Sequence, residues 1–308
     1  MIVTVTPNPS IDRTLQIDRL ERGKMIRSRS TTSEAAGKGL NVSLALATEG
    51  LETSAVIPLA AESATTYLRL LADAVPINAV PVKGTIRVNL TLVEPDGTVT
   101  KVNEPGPRLE ADDVEAILAA TAAIAGPGWI VGCGSLPPGA PVDFYARLKA
   151  LASRGRRVAI DTSGDALGAA LCAGVALVKP NRAELEELVG RPLATIGDVA
   201  AAARELIARG CHTVLVSLGP DGALVVDAHG ISHAEAPIDD AVNTVGAGDA
   251  LLAGFLAAGG EAGALGPAVA WSVAAIRSPG TRMRAVTAAD RESVIIHERI
   301  DPGRRLRS

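Results

Sequence analysis

Asn243-Thr-Val-Gly-Ala-Gly-Asp249 runs directly into the apolar stretch Ala250-Leu-Leu-Ala-Gly-Phe-Leu256. Two glycines precede an acid, and the apolar stretch reads as a buried helix that starts near Gly248. The first turn of a helix carries unpaired N–H groups and a partial positive charge, so it attracts anions. Glycine lets a phosphate approach the backbone closely. Asp249 then stands beside an anion hole. A carboxylate there can take a proton from a hydroxyl while N–H groups stabilise a phosphoryl group in transfer. A plain glycine turn with Asp as a helix-start residue fits the same residues. Other glycine motifs fit less well. A dinucleotide fingerprint needs a third glycine where Leu251 stands. A Walker A loop fails at Gly37-Lys38, because Gly39 follows and Thr32 occupies the first glycine's place.

Strand-like and helix-like segments alternate on both sides of this stretch. Strands are expected over residues 2–5, 55–59, 129–133, 158–160, 176–178 and 214–217, the last four as short apolar runs buried on both faces. Helices are expected over 41–49, 64–74, 111–125, 142–153, 183–189, 199–208, 250–258 and 267–276. That alternation argues for a mainly parallel sheet covered on both faces, with its ligand site beyond the carboxyl ends of the strands. Two segments break the rhythm. Residues 14–32 hold two extended stretches around Glu21-Arg-Gly-Lys24, and residues 86–102 form a hairpin around Pro95-Asp-Gly97. In the hairpin Val88, Leu90 and Leu92 share one face, and Arg87, Asn89 and Thr91 the other. Four such strands would make a small antiparallel sheet whose apolar face needs a cover, either the main layer or a second subunit.

Composition limits the function. The 308 residues are 47% apolar and 21% charged, with net charge −4, which suits a soluble globular protein. No global basic signal points to nucleic acid or an anionic membrane. Aromatics are 2% of residues, too few for base-stacking platforms. Cys133, Cys172 and Cys211 are far apart and odd in number, as expected of reduced residues in a cytoplasmic protein. The first residues lack the basic region of a secretion signal, and the uncharged run 262–276 is short for a membrane span.

Three further segments carry candidate chemistry. Glu34-Ala-Ala-Gly-Lys-Gly-Leu-Asn41 is a second glycine turn before a helix. Asn41 and the backbone at Gly37 and Gly39 could meet sugar hydroxyls, or Asn41 could simply cap the helix. Asp12 follows Pro7-Asn-Pro-Ser10 just past the first strand. Val178-Lys-Pro-Asn-Arg-Ala-Glu184 leaves a strand and enters a helix. Asn181 and Glu184, three apart, suit a Mg²⁺ held partly through water, and equally a capping box. Val216-Ser-Leu-Gly-Pro-Asp-Gly222 joins two strands through a tight turn that could line a nucleotide groove.

Taken together and in this order, the segments resemble the PfkB group of ribokinase-like sugar kinases. Gly37-Lys-Gly-Leu-Asn41 matches that family's first signature, Asn243–Asp249 its second, and Asn181-x-x-Glu184 its metal motif. Thr4–Asp12, Gly134-Ser-Leu-Pro-Pro-Gly139, Asp161-Thr-Ser-Gly164 and Ser217-Leu-Gly219 fall where its phosphosugar branch has them. Ala35–Gly39 and Val99–Pro107 lean toward the bacterial 1-phosphofructokinase branch. Ala36 departs from the glycine of many relatives. The resemblance implies a three-layer α/β/α fold with a small β-sheet lid. It implies one domain over 1–308, with lid segments near 12–33 and 85–104. It also implies ATP-dependent phosphorylation of a ketose phosphate, foremost fructose 1-phosphate. The alternatives are a 6-phosphofructokinase, a tagatose-6-phosphate kinase, or a sugar-phosphate sensor without catalysis.

By the same resemblance Asp249 is the base, and Gly246, Ala247 and Gly248 hold the transferring phosphoryl. Lys179, Asn181, Ser217, Gly219 and Thr244 line the ATP groove, and Asn181 with Glu184 organises Mg²⁺. Asp12, Gly37, Asn41 and Ser135 meet the sugar. Lys24 and Arg87, with Lys38 a weaker candidate, hold the phosphate that the acceptor already carries, since a doubly charged acceptor needs fixed cations. A homodimer through the lid and a cytoplasmic location are expected, and a monovalent cation is left open.

Overall fold

The structure, a computed structural model, describes residues 1–124, 126–152 and 155–307. In chain order the strands are β1 (Ile2–Val5), β2 (Ser10–Gln16), β3 (Ser30–Ala36), β4 (Thr53–Ala60), β5 (Ile77–Val82), β6 (Arg87–Val93) and β7 (Val99–Asn103). They continue as β8 (Gly128–Cys133), β9 (Arg156–Asp161), β10 (Leu177–Val178), β11 (Thr213–Ser217), β12 (Ala223–Asp227), β13 (Gly230–Glu235) and β14 (Ile295–His297). The helices are α1 (Lys38–Thr48), α2 (Ala61–Leu71), α3 (Ala111–Ala123), α4 (Phe144–Ala150) and α5 (Gly164–Cys172). The remainder are α6 (Arg182–Val189), α7 (Ile196–Ala208), α8 (Ala247–Ala257), α9 (Leu265–Ile276) and α10 (Ala288–Glu292).

Among the described residues one sheet has the order β14-β13-β12-β11-β10-β9-β8-β1-β4-β5. It is parallel from β11 to β5 and antiparallel from β11 to β14. Its strands send alternate residues to opposite faces. Val214 and Val216 of β11 join the cluster that holds Tyr67, Tyr145 and Phe144, while Leu215 joins the cluster built on α8 and α9. This produces three layers, with helices on both faces of the sheet. The N-terminal ends of α1, α6 and α8 meet the carboxyl ends of β1, β9, β10 and β11, so functional groups converge there.

The expected elements are present, with shifted ends. The helix expected over 64–74 stops at Leu71, because Ala72 turns left-handed at φ 54° and its N–H caps Leu68 O. The ends of the helices expected over 111–125 and 142–153 reach Ala125 and Ser153, which lie outside the described residues. Asn41 is not a helix cap: α1 begins earlier, Gly37 is its capping residue, and Asn41 N–H already donates to Gly37 O at 2.9 Å.

The second sheet corrects an expectation. Its order is β3-β2-β6-β7, but the central pair β2/β6 is parallel, so the sheet is mixed and not antiparallel. β2/β3 and β6/β7 are hairpin-like antiparallel pairs. Between them the chain passes through α1, β4, α2 and β5 of the main layer, and such a crossover returns the second pair in the same direction. In this register Ser10 faces Arg87 and Asp12 faces Asn89, which gathers the polar face over the main sheet's ligand end.

The packing beneath α1 yields a stability test. A Cβ on Gly39 would lie 2.5 Å from Thr6 Oγ1 and 3.1 Å from Val5 O. Backbone cannot yield cheaply, so Gly39→Ala is expected to lose ~1–3 kcal/mol in urea unfolding. Gly263→Ala, where nothing stands within 4 Å, should change little. Equal stability of the two variants would contradict this packing.

Candidate active site

Gly246 takes a left-handed conformation at φ 82° and caps α8. Asn243 holds the loop before it: its Oδ1 accepts from Val245 N–H at 3.0 Å and its Nδ2 donates to Gly280 O at 3.2 Å. Ala247 N–H turns back weakly onto Thr244 O at 3.4 Å. The N–H groups of Gly246, Gly248 and Asp249 have no acceptor among the described residues, as an anion hole requires.

Asp249 follows at once, 7% exposed. Its Oδ2 accepts from Asn41 Nδ2 at 2.8 Å, which ties the two glycine turns together across 208 residues. Behind them lies a buried charge network. Asp161, fully buried at the end of β9, faces Lys38 Nζ through Oδ1 and Lys179 Nζ through Oδ2, both at 3.0 Å. Lys38 also stands 3.7 Å from Glu184 Oε1. Lys179 Nζ lies 3.5 Å from the point where a Cβ on Gly248 would sit, so an ammonium group borders the anion hole.

Burial and the nearby Asp161 carboxylate push the Asp249 carboxyl up to about 6, against Asn41, Lys38 and Lys179. Burial also opposes ionisation of Asp161, but Lys179 and Lys38 outweigh it and hold that group below the usual carboxylate range. Lys38 is kept firmly protonated by Asp161, against the cost of burial, with Glu184 and Asp249 adding to the effect. Near neutral pH Asp249 is therefore ionised yet basic enough to accept a proton.

Asn181 and Glu184 form a full capping box. Asn181 Oδ1 accepts from Glu184 N–H at 2.8 Å, and Glu184 Oε2 accepts from Asn181 N–H at 2.9 Å. Glu184 Oε1 stays outside the box, toward Lys38. No group of three or more His, Cys, Asp or Glu among the described residues could hold a metal alone. That donor set fits a Mg²⁺ which takes most of its ligands from phosphates and water.

Two clefts flank these groups. One, of about 620 Å³, is lined by Asn181, Ser217, Gly219, Thr244 and Gly248, with an apolar wall that includes Leu251 and Val273. The other, of about 630 Å³, is lined by Asn8, Arg87, Ser135, Gly139 and Thr162. Around it, Asn8 Nδ2 donates to Ser135 Oγ at 3.2 Å, and Asn89 Nδ2 to Asp12 Oδ1 at 2.9 Å. Arg87 Nη2 donates to Asn8 O at 3.1 Å. Asn8 Oδ1, Asn41 Oδ1 and Asn89 Oδ1 are buried acceptors without partners, and Arg87 Nε is a buried donor without one. Unpaired buried polar groups are costly, so this set points to a hydroxyl-rich ligand that also carries an anion.

The structure thus gathers nearly all the sequence candidates. Lys24 is the exception: it is exposed on the loop between β2 and β3 and lines neither cleft. Lys38 points to Asp161 and Glu184 instead of to Arg87. Asn8 and Asp161 were not among the candidates. Each has a sequence signal, a polar residue just past a buried strand, and Asp161 directly follows the apolar run 158–160.

Comparison with known proteins agrees with this geometry. The pfkB family carbohydrate kinase profile matches residues 5–282, and the chain belongs to that family of ATP-dependent sugar kinases. A 1-phosphofructokinase of Xanthomonas campestris pv. campestris is 41% identical over 264 residues, 83% of each chain. The ATP-dependent 6-phosphofructokinase isozyme 2 of Escherichia coli K12 is 35% identical, over 89% of this chain and 90% of its own. The crystal structure of Escherichia coli phosphofructokinase-2 in complex with potassium superposes with TM-score 0.86 at 33% identity, covering 94% of this chain and 96% of that one. A tetrameric inhibited form of phosphofructokinase-2 from Escherichia coli matches with TM-score 0.84 at 33% identity, over the same shares. Among the described residues no helix is long and apolar enough to cross a membrane.

The charge network makes its own prediction. Asp161→Asn strands two ammonium groups beside one another and is expected to cost ~3–5 kcal/mol of stability. Since Asp161 raises the Asp249 carboxyl, the same change should bring that group below about 6. Unchanged stability on urea unfolding would contradict the pairing.

Proposed function

We propose that this kinase transfers the terminal phosphoryl group of ATP to the 6-hydroxyl of fructose 1-phosphate. One observation carries the reading: the four unpaired buried polar atoms of Asn8, Asn41, Asn89 and Arg87, gathered near an elevated carboxyl and an anion hole. Asp249 takes the hydroxyl proton, the sugar oxygen bonds to phosphorus, and the bond to the bridging oxygen of ATP breaks with its electrons going to ADP. The N–H groups of Gly246 and Gly248, together with Ala247, Lys179 and Lys38, stabilise the charge in transfer. ATP takes the cleft lined by Ser217, Gly219 and Thr244. Mg²⁺ neutralises charge on the phosphates when bound, and Glu184 Oε1, with Asn181 through water, would hold it.

Asp12, Gly37, Asn41 and Ser135 orient the sugar, and Arg87 binds its existing phosphate. Lys24 joins Arg87 only when the loop between β2 and β3 closes. The name of the Xanthomonas relative favours fructose 1-phosphate, and that of the Escherichia coli isozyme keeps a 6-phosphate as the second reading. Fructofuranose has approximate two-fold symmetry, so one site can take either end. The whole chain works as one kinase unit in the cytoplasm, with the second sheet as its lid. A homodimer through that sheet accounts for the exposure of Val102, at 56%, which pairs with Leu90 on the apolar face. Sedimentation showing only monomer would contradict the dimer.

The test is kcat/KM across fructose 1-phosphate, fructose 6-phosphate, tagatose 6-phosphate and free fructose, repeated with potassium replaced by tetramethylammonium. Fructose 1-phosphate should lead. A lead for a 6-phosphate would overturn the substrate, and a lead for free fructose would also remove Arg87's role. Arg87→Ala should lose ~1.5–3 kcal/mol of acceptor recognition with little change in KM for ATP. Asp249→Asn should keep the fold and cut turnover by roughly 10²–10⁴. Near-normal turnover in that variant would reject the base.

A further inference from the structure

The nucleotide-side cleft has one wall that the phosphoryl chemistry does not explain. The turn between β11 and β12, the 3₁₀ turn Gly219–Asp221 followed by Gly222, lines it together with Arg182, Glu186 and Arg307. Gly219 and Gly222 take φ values of 60° and 79°, conformations that few other residues adopt. Its own backbone bonds are short-range, the longest joining Leu218 N–H to Gly222 O at 2.8 Å. His233 of β13 anchors it, its Nε2 2.8 Å from Asp221 O, but the Asp221 carboxylate and Pro220 O need fixing too.

Residues 301–307 supply that fixing. They form a strap along the start of α7. Ile196 N–H donates to Arg304 O at 3.0 Å, Gly197 N–H to Pro302 O at 2.9 Å, and Leu306 N–H to Ala194 O at 3.0 Å. The first two satisfy N–H groups that α7 would leave unpaired. A Cβ on Gly197 would sit 2.8 Å from Pro302 O, so the strap lies as close as glycine allows.

From this footing two arginines grip the turn. Asp221 is 1% exposed. Its Oδ2 accepts from Arg307 N–H at 2.7 Å, and its Oδ1 from Arg307 Nε at 3.0 Å and Arg304 Nη2 at 3.1 Å. Arg307 Nη2 donates to Pro220 O at 2.6 Å. Glu235 Oε2 accepts from Arg304 Nη2 at 2.5 Å and from Arg307 Nη2 at 3.3 Å, and so ties β13 to the same pair. Arg182 Nη1 donates to Arg307 O at 3.2 Å, closing the ring back onto α6, which begins at the Asn181–Glu184 box. Arg307 therefore holds the turn from both its backbone and its buried carboxylate, while its own side chain faces the cleft.

We propose that Arg307 is a positioning residue for ATP: through Asp221 and Pro220 it fixes the 219–222 turn in the shape that receives the nucleotide. The role rests on the assignment of this cleft to ATP. It concerns the nucleotide alone, since Arg307 does not line the acceptor cleft of Asn8, Arg87 and Ser135.

The experiment measures calorimetric binding of a non-hydrolysable ATP analogue to the full chain, with steady-state kinetics and melting temperature beside it. Wild type, Arg307→Ala and Arg307→Lys are compared. Arg307→Ala should weaken analogue binding and raise KM for ATP about tenfold, the factor that 1.4 kcal/mol gives. KM for the sugar phosphate and kcat should stay within about twofold, well inside that tenfold factor. Arg307→Lys keeps the charge but loses the paired Nε and Nη2 donors, so it should resemble Arg307→Ala in affinity. Unchanged analogue binding in Arg307→Ala would overturn the role. So would a parallel rise in both KM values with a falling melting temperature, the mark of a purely structural clamp. A wild-type chain that fails to bind the analogue would overturn the assignment of the cleft itself, and the strap's role with it.

Discussion

The buried Asp161 carboxylate between Lys38 and Lys179 is the constraint on which the site depends. It is fully buried, yet its two cationic partners come from different elements, one opening α1 and one leaving β10. Lys179, only 4% exposed, would not stay where it is without the carboxylate, because an unpaired buried charge is costly. The lysines then carry the effect outward, Lys38 to Glu184 and both to Asp249. Asp161 is the better paired of the two buried aspartates, and its negative charge is felt at Asp249. Burial beside a second acid explains why this carboxyl titrates near 6, and the two lysines why Asp161 stays ionised. Two acids in one site are pushed apart in acidity by their partners, which suits one for structure and the other for proton transfer.

Much of the fold was legible because its signals are local. The stretch Asn243–Asp249 combines glycines, an acid and an apolar run, and each maps onto a physical need: a left-handed cap at Gly246, open N–H groups and a buried helix. The parallel strands were visible as apolar runs because both their faces are covered. The strands β5 and β13 were not, since INAVPV and GISHAE mix polar residues or proline into their runs. Helix α5 was missed because Gly164 and Gly168 lower its intrinsic propensity. The parallel pairing of β2 with β6 could not be read from either hairpin, as it follows from the path between them.

The site was legible at its ends and illegible in its middle. Asp249, Asn41, Asn181 and Glu184 sit in segments whose spacing betrays them. Asp161 opens the segment Asp161–Gly164, but its role does not show there, because its partner Lys38 lies 123 residues earlier in the chain. The capping box at Asn181–Glu184 leaves room for a second role there. One carboxylate oxygen closes the helix while the other faces the site. Lys24 marks the opposite case, a residue whose charge suits the chemistry but whose loop leaves it in solvent.

The central claim is that burial, with the Asp161 carboxylate beside it, sets the acidity of Asp249 against the pull of the lysines. The most direct measurement is a ¹³C NMR titration of the aspartate carboxyl carbons in the ligand-free protein, with the Asp249 signal identified by its loss in Asp249→Asn. A midpoint of about 6, beside an Asp161 signal that stays ionised well below the usual range, is the predicted result. An Asp249 midpoint at or below the ordinary aspartate value of about 3.9 would contradict the account.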